Sequence, residues 1–345
     1  MDVKKILTEA TACLGPSGQE MQVAEYFADA FRPFVDEVYV DDLFNVVAHI
    51  KGSGPRIMLA AHMDEICMMV IGIEDDGCIR MGNVGGVDPR ILPASRVWVH
   101  GREKLFGTVG ALPPHLLSEE DRKHNYDKDA LYVDVGLPAE KVRELVRIGD
   151  PITFNCKPVA MLNDQFACKT QDDRACVTML LLAAERLQKL HHDADVWFVG
   201  TTTEEVGSRG AMTAAFRIDP DLAIALDVDH ATIPGSRTDT TVDLDCLSVT
   251  IGPFIQPKLL ERLKKCAADH HVKLQYTVSE RETWTDTDHI NAAREGVPSV
   301  LLSLPEKYMH TSVETIDLKV LTEGGRLMAH FISELDEGWE EDLWI

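Results

Sequence analysis

Five short polar stops hold the side chains in this sequence that could do chemistry: His62 with Asp64, Asp172 with Asp173, Glu204 with Glu205, Asp227, and His310. A sixth, Asp286 with Asp288, is weaker. Taken singly, each has an ordinary reading. A histidine closing a strand is usually a hydrogen-bonded structural group. Paired acids such as Asp172 and Asp173 often complement the positive end of a helix, and Glu204-Glu205 alone could be a solvated loop. Taken together they differ, because each strong stop falls just past an apolar run or at the opening of a helix. So many carboxylates in one place would repel strongly unless protonated or bound to cations. Mixed imidazole and carboxylate ligands suit zinc, cobalt or manganese better than calcium or magnesium. Three carboxylates and two histidines suffice for two metal ions sharing one carboxylate, the pattern that activates a water against an acyl or phosphoryl centre.

The elements that must position these residues read as an α/β rhythm. Helical periodicity is expected over residues 3–13 and, after the Gly15-Pro16-Ser17-Gly18 break, over 20–31, with Ser17 or Gly18 as its cap. Strands are expected at 38–40, 46–50 and 57–61. After Ala167 the rhythm resumes: helices over 175–190, 211–216, 258–270, 288–295 and 318–335, and strands at 195–200, 222–226, 241–251, 273–278 and 299–302. Parallel strands would bring the polar stops to one sheet edge, where open α/β sheets bind ligands.

Between Ile66 and Lys157 the pattern changes. Short strands at 68–73, 79–81, 96–100, 106–111, 131–135 and 151–154 alternate with glycine and proline turns, and only 139–146 looks helical. That spacing predicts a small β-barrel or sandwich. The expected organisation is a discontinuous α/β domain, residues 1–66 and 159–345, interrupted by an inserted β domain at 67–158. The acidic tail 336–342, with Trp339 and Trp344, reads as a packed or frayed end.

Composition narrows the function. The 345 residues carry a formal charge of −23, which argues against nucleic acid, whose phosphates need a cationic face. No apolar run approaches membrane-spanning length, and the N-terminus lacks the apolar core of a signal peptide. The eight cysteines are scattered without a C-x-x-C pair, so free thiols in a reducing cytoplasm are expected.

The strings AAHMDEICMMV, CKTQDDRACV, TTTEEVGSRGA, IALDVDHA and KYMHTSVE resemble the successive motifs of the tetrahedral (TET) aminopeptidases, metallopeptidase family 42, whose members are described as glutamyl or deblocking aminopeptidases and sometimes as endoglucanases. GPSGQE, GGVDPRIL and GTVGALPPHLL fit the same pattern, so the resemblance covers nearly the whole chain. It implies a phosphorylase/hydrolase-like three-layer α/β/α domain with a central mixed sheet, and an inserted β-barrel used for dimerisation and substrate gating. It implies two divalent ions per subunit, zinc first, then cobalt or manganese. His62, Asp172 and Asp227 would bind one; Asp172, Glu205 and His310 would bind the other, with Asp172 bridging. Glu204 would be the general base and acid, and Asp64 would orient the His62 imidazole. Peptides would be the substrates, and dimers would assemble into a hollow dodecamer.

The sequence departs from that pattern in places. Phe44 stands where the family usually has glycine, Gln171 replaces an apolar residue, Asp229 replaces a neutral one, and 284–289 replaces a glycine-rich segment. None removes a proposed ligand, and Asp229 could favour basic N-terminal residues. Other readings are a deacylase acting on small N-acyl compounds, a glycosidase, and a catalytically silent assembly protein. A glycosidase needs paired carboxylates across a sugar bond and no metals, whereas here acids alternate with histidines. The retention of every ligand and Glu204 argues against a silent protein.

Overall fold

The computed structural model describes residues 1–335 together with Gly338 and Trp339. Most of the acidic tail, including Trp344, lies outside the described residues. In chain order come helices α1 (Val3–Ala12) and α2 (Met21–Phe31), then strands β1 (Glu37–Val40), β2 (Val46–Ile50) and β3 (Arg56–His62). Six strands follow: β4 (Cys67–Ile73), β5 (Ile79–Val84), β6 (Arg96–His100), β7 (Lys104–Gly110), β8 (Tyr132–Asp134) and β9 (Pro151–Phe154), with α3 (Ala139–Leu145) before the last. The chain then forms β10 (Val159–Ala160), β11 (Gln165–Cys168), α4 (Gln171–Leu187), β12 (Asp195–Thr201), α5 (Arg209–Ile218) and β13 (Leu222–His230). It finishes with β14 (Leu247–Ile251), α6 (Pro257–Asp269), β15 (Leu274–Val278), α7 (Asp286–Asn291), β16 (Ser299–Glu306), β17 (Glu314–Asp317) and α8 (Leu318–Ser333).

These elements divide into two compact units. One holds Met1–Asp64, Pro158–Met309 and the chain from Glu314; the other holds Glu65–Lys157 and His310–Val313. The first is built on an eight-stranded sheet in the order β1-β2-β12-β3-β13-β16-β14-β15. Its centre, β12-β3-β13-β16, is parallel, with antiparallel pairings between β12 and β2 and between β16 and β14. A central parallel strand is covered on both faces and so reads as a continuous apolar run. Ile57 to Ala61 are all buried, as are Leu222 to Leu226. Helix α4 lies on β3 and β13, backed by α1 and α8, while α5 and α7 pack on each other and on β3. This is the mixed-sheet, three-layer architecture expected. A small sheet, β10-β11-β17, adds to the unit and was not anticipated.

The second unit is a closed barrel in the order β4-β5-β8-β7-β6-β9. All six strands fall where the sequence placed them. Inward-pointing residues such as Met68, Val70, Ile79, Val97, Val99, Val133 and Ile152 form its core. Closure removes the exposed strand edges that a short open sheet would present.

The structure corrects several boundaries. Strand β13 does not stop before Asp227 but continues to His230, because β16 also runs on and pairs Asp227 with Ser303 and His230 with Glu306. Neither Ser17 nor Gly18 caps α2; its N-cap position is Glu20, and the Ser17 hydroxyl donates instead to Asp64 Oδ2 at 2.7 Å. Of the strand expected at 241–251, only Leu247–Ile251 forms.

Candidate metal centre

Strand register brings three of the polar stops together. His62 closes β3 and pairs with Thr201 at the end of β12. Ala60 pairs with Ala225 of β13, so Asp227 lies as far beyond that pair as His62 does. The loop carrying Glu204 and Glu205 follows directly from Thr201. Asp172 and Asp173 open α4, where both depart from helical geometry and the bond between them is cis. Helix α4 packs on β3 and β13, which delivers this turn to the same place.

His62 is the hub. Its Nε2 lies 2.9 Å from Asp172 Oδ1 and 3.9 Å from Glu204 Oε2. Ligand atoms of His62, Asp172 and Glu205 all lie within 4.8 Å of one another, as do those of His62, Asp173 and Asp227. Asp173 is also engaged structurally, since its Oδ2 accepts the His62 backbone N–H at 3.3 Å. Asp64 Oδ1 faces His62 Nδ1 at 3.4 Å, a long contact without a formed hydrogen bond.

Asp64 has a second task that the sequence did not reveal. Fully buried, it accepts the backbone N–H of Glu204 at 3.0 Å through Oδ1 and that of Glu205 at 3.3 Å through Oδ2. Two further side chains clamp the same loop. Glu20 Oε1 accepts the Thr203 N–H at 3.1 Å, and Asn45 Oδ1 accepts the Thr202 N–H at 3.1 Å. Asn45 also donates to the Gly210 carbonyl. A Cβ on Gly210 would fall 2.4 Å from Asn45 Oδ1, so this approach requires glycine. Phe44, which leads into Asn45, has a φ of 69°, the left-handed conformation that glycine adopts without strain.

The electrostatics follow from crowding. Burial, then the carboxyls of Asp227, Asp286 and Glu205, push the Glu204 carboxyl up to about 10, against the opposing pull of His62. Burial, then Asp173 and Asp172, hold Asp227 well above the carboxylate range. Burial opposes protonation of His62, but Asp172, Asp64 and Glu204 together hold its pKa well above its ordinary value. Buried carboxyls so placed can all ionise only beside compensating cations. The donor set of imidazole and carboxylate oxygens therefore fits divalent metal ions.

Two predicted stops remain, His310 and the Asp286-Asp288 pair. His310 belongs to the segment that groups with the barrel unit, where a Cβ on Gly86 would fall 2.6 Å from its Nδ1. Asp286 is buried and accepts a hydrogen bond from Thr201 Oγ1, whereas Asp288 caps the turn at Thr283 and Trp284. Three buried acids went unrecognised in the sequence. Glu314 Oε2 accepts the Gln171 N–H at 2.8 Å and so steadies the Asp172 turn. Glu20 clamps Thr203. Glu306 has neither carboxyl oxygen hydrogen-bonded; burial, then Glu314 and Asp172, raise its pKa well above normal. Glu314 was legible only as the end of KYMHTSVE. Glu306 follows Pro305 at the end of a strand that proline disguised.

The family model described as M42 glutamyl aminopeptidase matches residues 45–327. The lysyl aminopeptidase of Pyrococcus furiosus is 37% identical over 327 residues, 93% of this chain and 94% of its own. A TET aminopeptidase from a marine sediment Thaumarchaeota archaeon has the same fold, with a TM-score of 0.94, 29% identity and 98% of each chain covered. The TET1 peptidase of Pyrococcus horikoshii, which can assemble into a tetrahedron or a large octahedral shell, gives a TM-score of 0.84 at 28% identity, covering 97% of this chain and 100% of its own.

Proposed function

The chain belongs to the M42 glutamyl aminopeptidase family and is an aminopeptidase; we propose that two divalent ions serve it, one held by His62, Asp172 and Asp227 and one by Asp172, Glu205 and His310. Asp172 is the shared ligand in this reading, because Asp173 is already committed to the His62 backbone. Zinc suits the donors best, with cobalt or manganese as substitutes. When bound, the ions supply Lewis-acid polarisation of the scissile carbonyl and acidify a water.

The chain's own residues do the rest. Glu204 takes the proton of the attacking water on a carboxylate oxygen and hands it to the departing amine nitrogen. One observation carries this assignment: a Glu204 oxygen reaches 3.9 Å from His62 Nε2 while Glu204 belongs to neither ligand group. Asp64 holds the Glu204 loop by its backbone, so the carboxyl is aimed by contacts it does not itself make. The acidic surroundings would receive the free α-ammonium group of a peptide and so confine cleavage to the first residue.

Asp229 gives the pocket a basic preference. It is two residues beyond Asp227 on β13 and therefore shares its sheet face. The lysyl aminopeptidase relative is consistent with this. We also assign dimerisation and gating to the barrel unit, assembly of dimers into a dodecamer, and peptide hydrolysis in the cytoplasm. Among the described residues, no helix is long and apolar enough to cross a membrane. A panel of free and N-acetylated aminoacyl anilides, assayed after chelation and after reloading with zinc or cobalt, tests the proposal. Cleavage of free-amine substrates only, and only with metal, is expected. Chelator-resistant turnover or equal rates on acetylated substrates would overturn it.

A further inference from the structure

A second group of metal-ligating side chains lies apart from the His62 cluster and shares no residue with it. Cys266 and His270 are four residues apart at the end of α6, so both project from one helix face. Glu334 follows the last residue of α8, which packs on α6. Ligand atoms of Cys266, His270 and Glu334 all lie within 4.8 Å of one another. His270 Nε2 meets Glu334 Oε1 at 2.6 Å. The His270 ring stacks on that of His330, with centroids 3.7 Å apart and planes 17° from parallel.

Two features favour a cation here. Both α6 and α8 end at this point, and helix C-termini carry partial negative charge. The nearby arginines are already engaged: Arg326 Nη1 donates to the His270 carbonyl at 2.9 Å and its Nε to the Glu323 carboxylate at 3.0 Å, and Arg262 Nη2 donates to the Glu334 carbonyl at 2.9 Å. These contacts fix the two ligand-bearing ends.

We propose that Cys266, His270 and Glu334 form a second, non-catalytic metal site that takes a zinc-like divalent ion and clips α6 to α8, with water in the remaining position. One thiolate, one imidazole and one carboxylate select zinc or cobalt over magnesium and calcium. Burial, and then Glu334, push the Cys266 thiol up to about 12.

Cobalt(II) titration of the full-length protein tests this directly. A thiolate ligand gives a near-ultraviolet sulfur-to-cobalt charge-transfer band, whereas the carboxylates and histidines of the catalytic cluster give none. With the two proposed catalytic ions also loaded, wild type is expected to show the band at an intensity of one thiolate–cobalt site per subunit. Cys266→Ser should abolish it and His270→Gln should weaken cobalt affinity at this site about tenfold or more, with peptidase turnover as the folding control for both. If Cys266→Ser does not fold, His270→Gln carries the test. Absence of the band in wild type, its survival in folded Cys266→Ser, or unchanged affinity in folded His270→Gln would overturn the site. Because the readout is the thiolate, failure here is distinguishable from failure of the catalytic assignment.

Discussion

Asp64 Oδ1 accepts the backbone N–H of Glu204 at 3.0 Å. Through its second oxygen the same carboxylate accepts from Glu205 and from the Ser17 hydroxyl. A residue placed two positions beyond His62 thus fixes the loop that carries both Glu205, a proposed ligand, and Glu204, the proposed proton-transfer group. Asp64→Asn would turn one acceptor into a donor and set an N–H against an N–H, leaving a buried group unpaired at a cost of about 1–3 kcal/mol. The variant is expected to fold, to bind zinc about 10–100-fold more weakly, and to lose turnover even at saturating metal. Calorimetric zinc titration beside kcat measurement checks this; wild-type affinity and kcat together would remove Asp64 from the machinery.

Glu20 makes a prediction about pH. Burial, opposed by the Gly18 amide and reinforced by the nearby Asp64 carboxylate, raises its pKa from 4.5 to about 7. Between those values the folded chain holds a proton that the unfolded chain has released. Stability therefore falls as pH rises through this window and levels off above it, by on the order of 3 kcal/mol. Glu20→Gln keeps an acceptor for the Gly18 and Thr203 amides but cannot ionise. Its Tm should decline less than that of wild type between about pH 5 and about pH 8. Parallel Tm curves for the two proteins would show that Glu20 does not titrate as described.

Asp229 bears on specificity. Ser248 Oγ donates to its Oδ2 at 2.9 Å and the His230 N–H to its Oδ1 at 2.7 Å. Each carboxylate oxygen retains a free lone pair for a substrate ammonium group. Asp229→Asn is expected to cut kcat/KM for lysyl anilide about fivefold relative to leucyl anilide, on the order of 1 kcal/mol for a partly exposed charge pair. An unchanged ratio across lysyl, glutamyl and leucyl substrates would place the preference elsewhere.

How much of this was legible depended on where each residue sits relative to the sheet. His62 and the Glu204-Glu205 pair announce themselves because polar side chains interrupt apolar strands at the sheet edge. Asp172 and Asp173 mark a helix opening in the same way. The barrel strands were readable because turns punctuate short alternating runs. Asp227 was found, but its strand was cut short, since nothing local reveals that β16 extends to pair beyond it. Glu20, Glu306 and Glu314 were missed for a related reason. Their burial arises from tertiary packing, and in sequence they look like ordinary surface acids. The doubled role of Asp64 is equally invisible, because its partners lie 140 and 141 residues away.

Glu204 is proposed to move the proton beside a metal site that it does not help to build. The most direct measurement is kcat of Glu204→Gln on an aminoacyl anilide, taken with metal content per subunit by elemental analysis. Glutamine matches the size of glutamate but cannot accept and return a proton. Unchanged metal content with kcat reduced by about 10²–10⁴ is expected. Wild-type kcat in the metal-loaded variant, or loss of metal together with loss of activity, would contradict it.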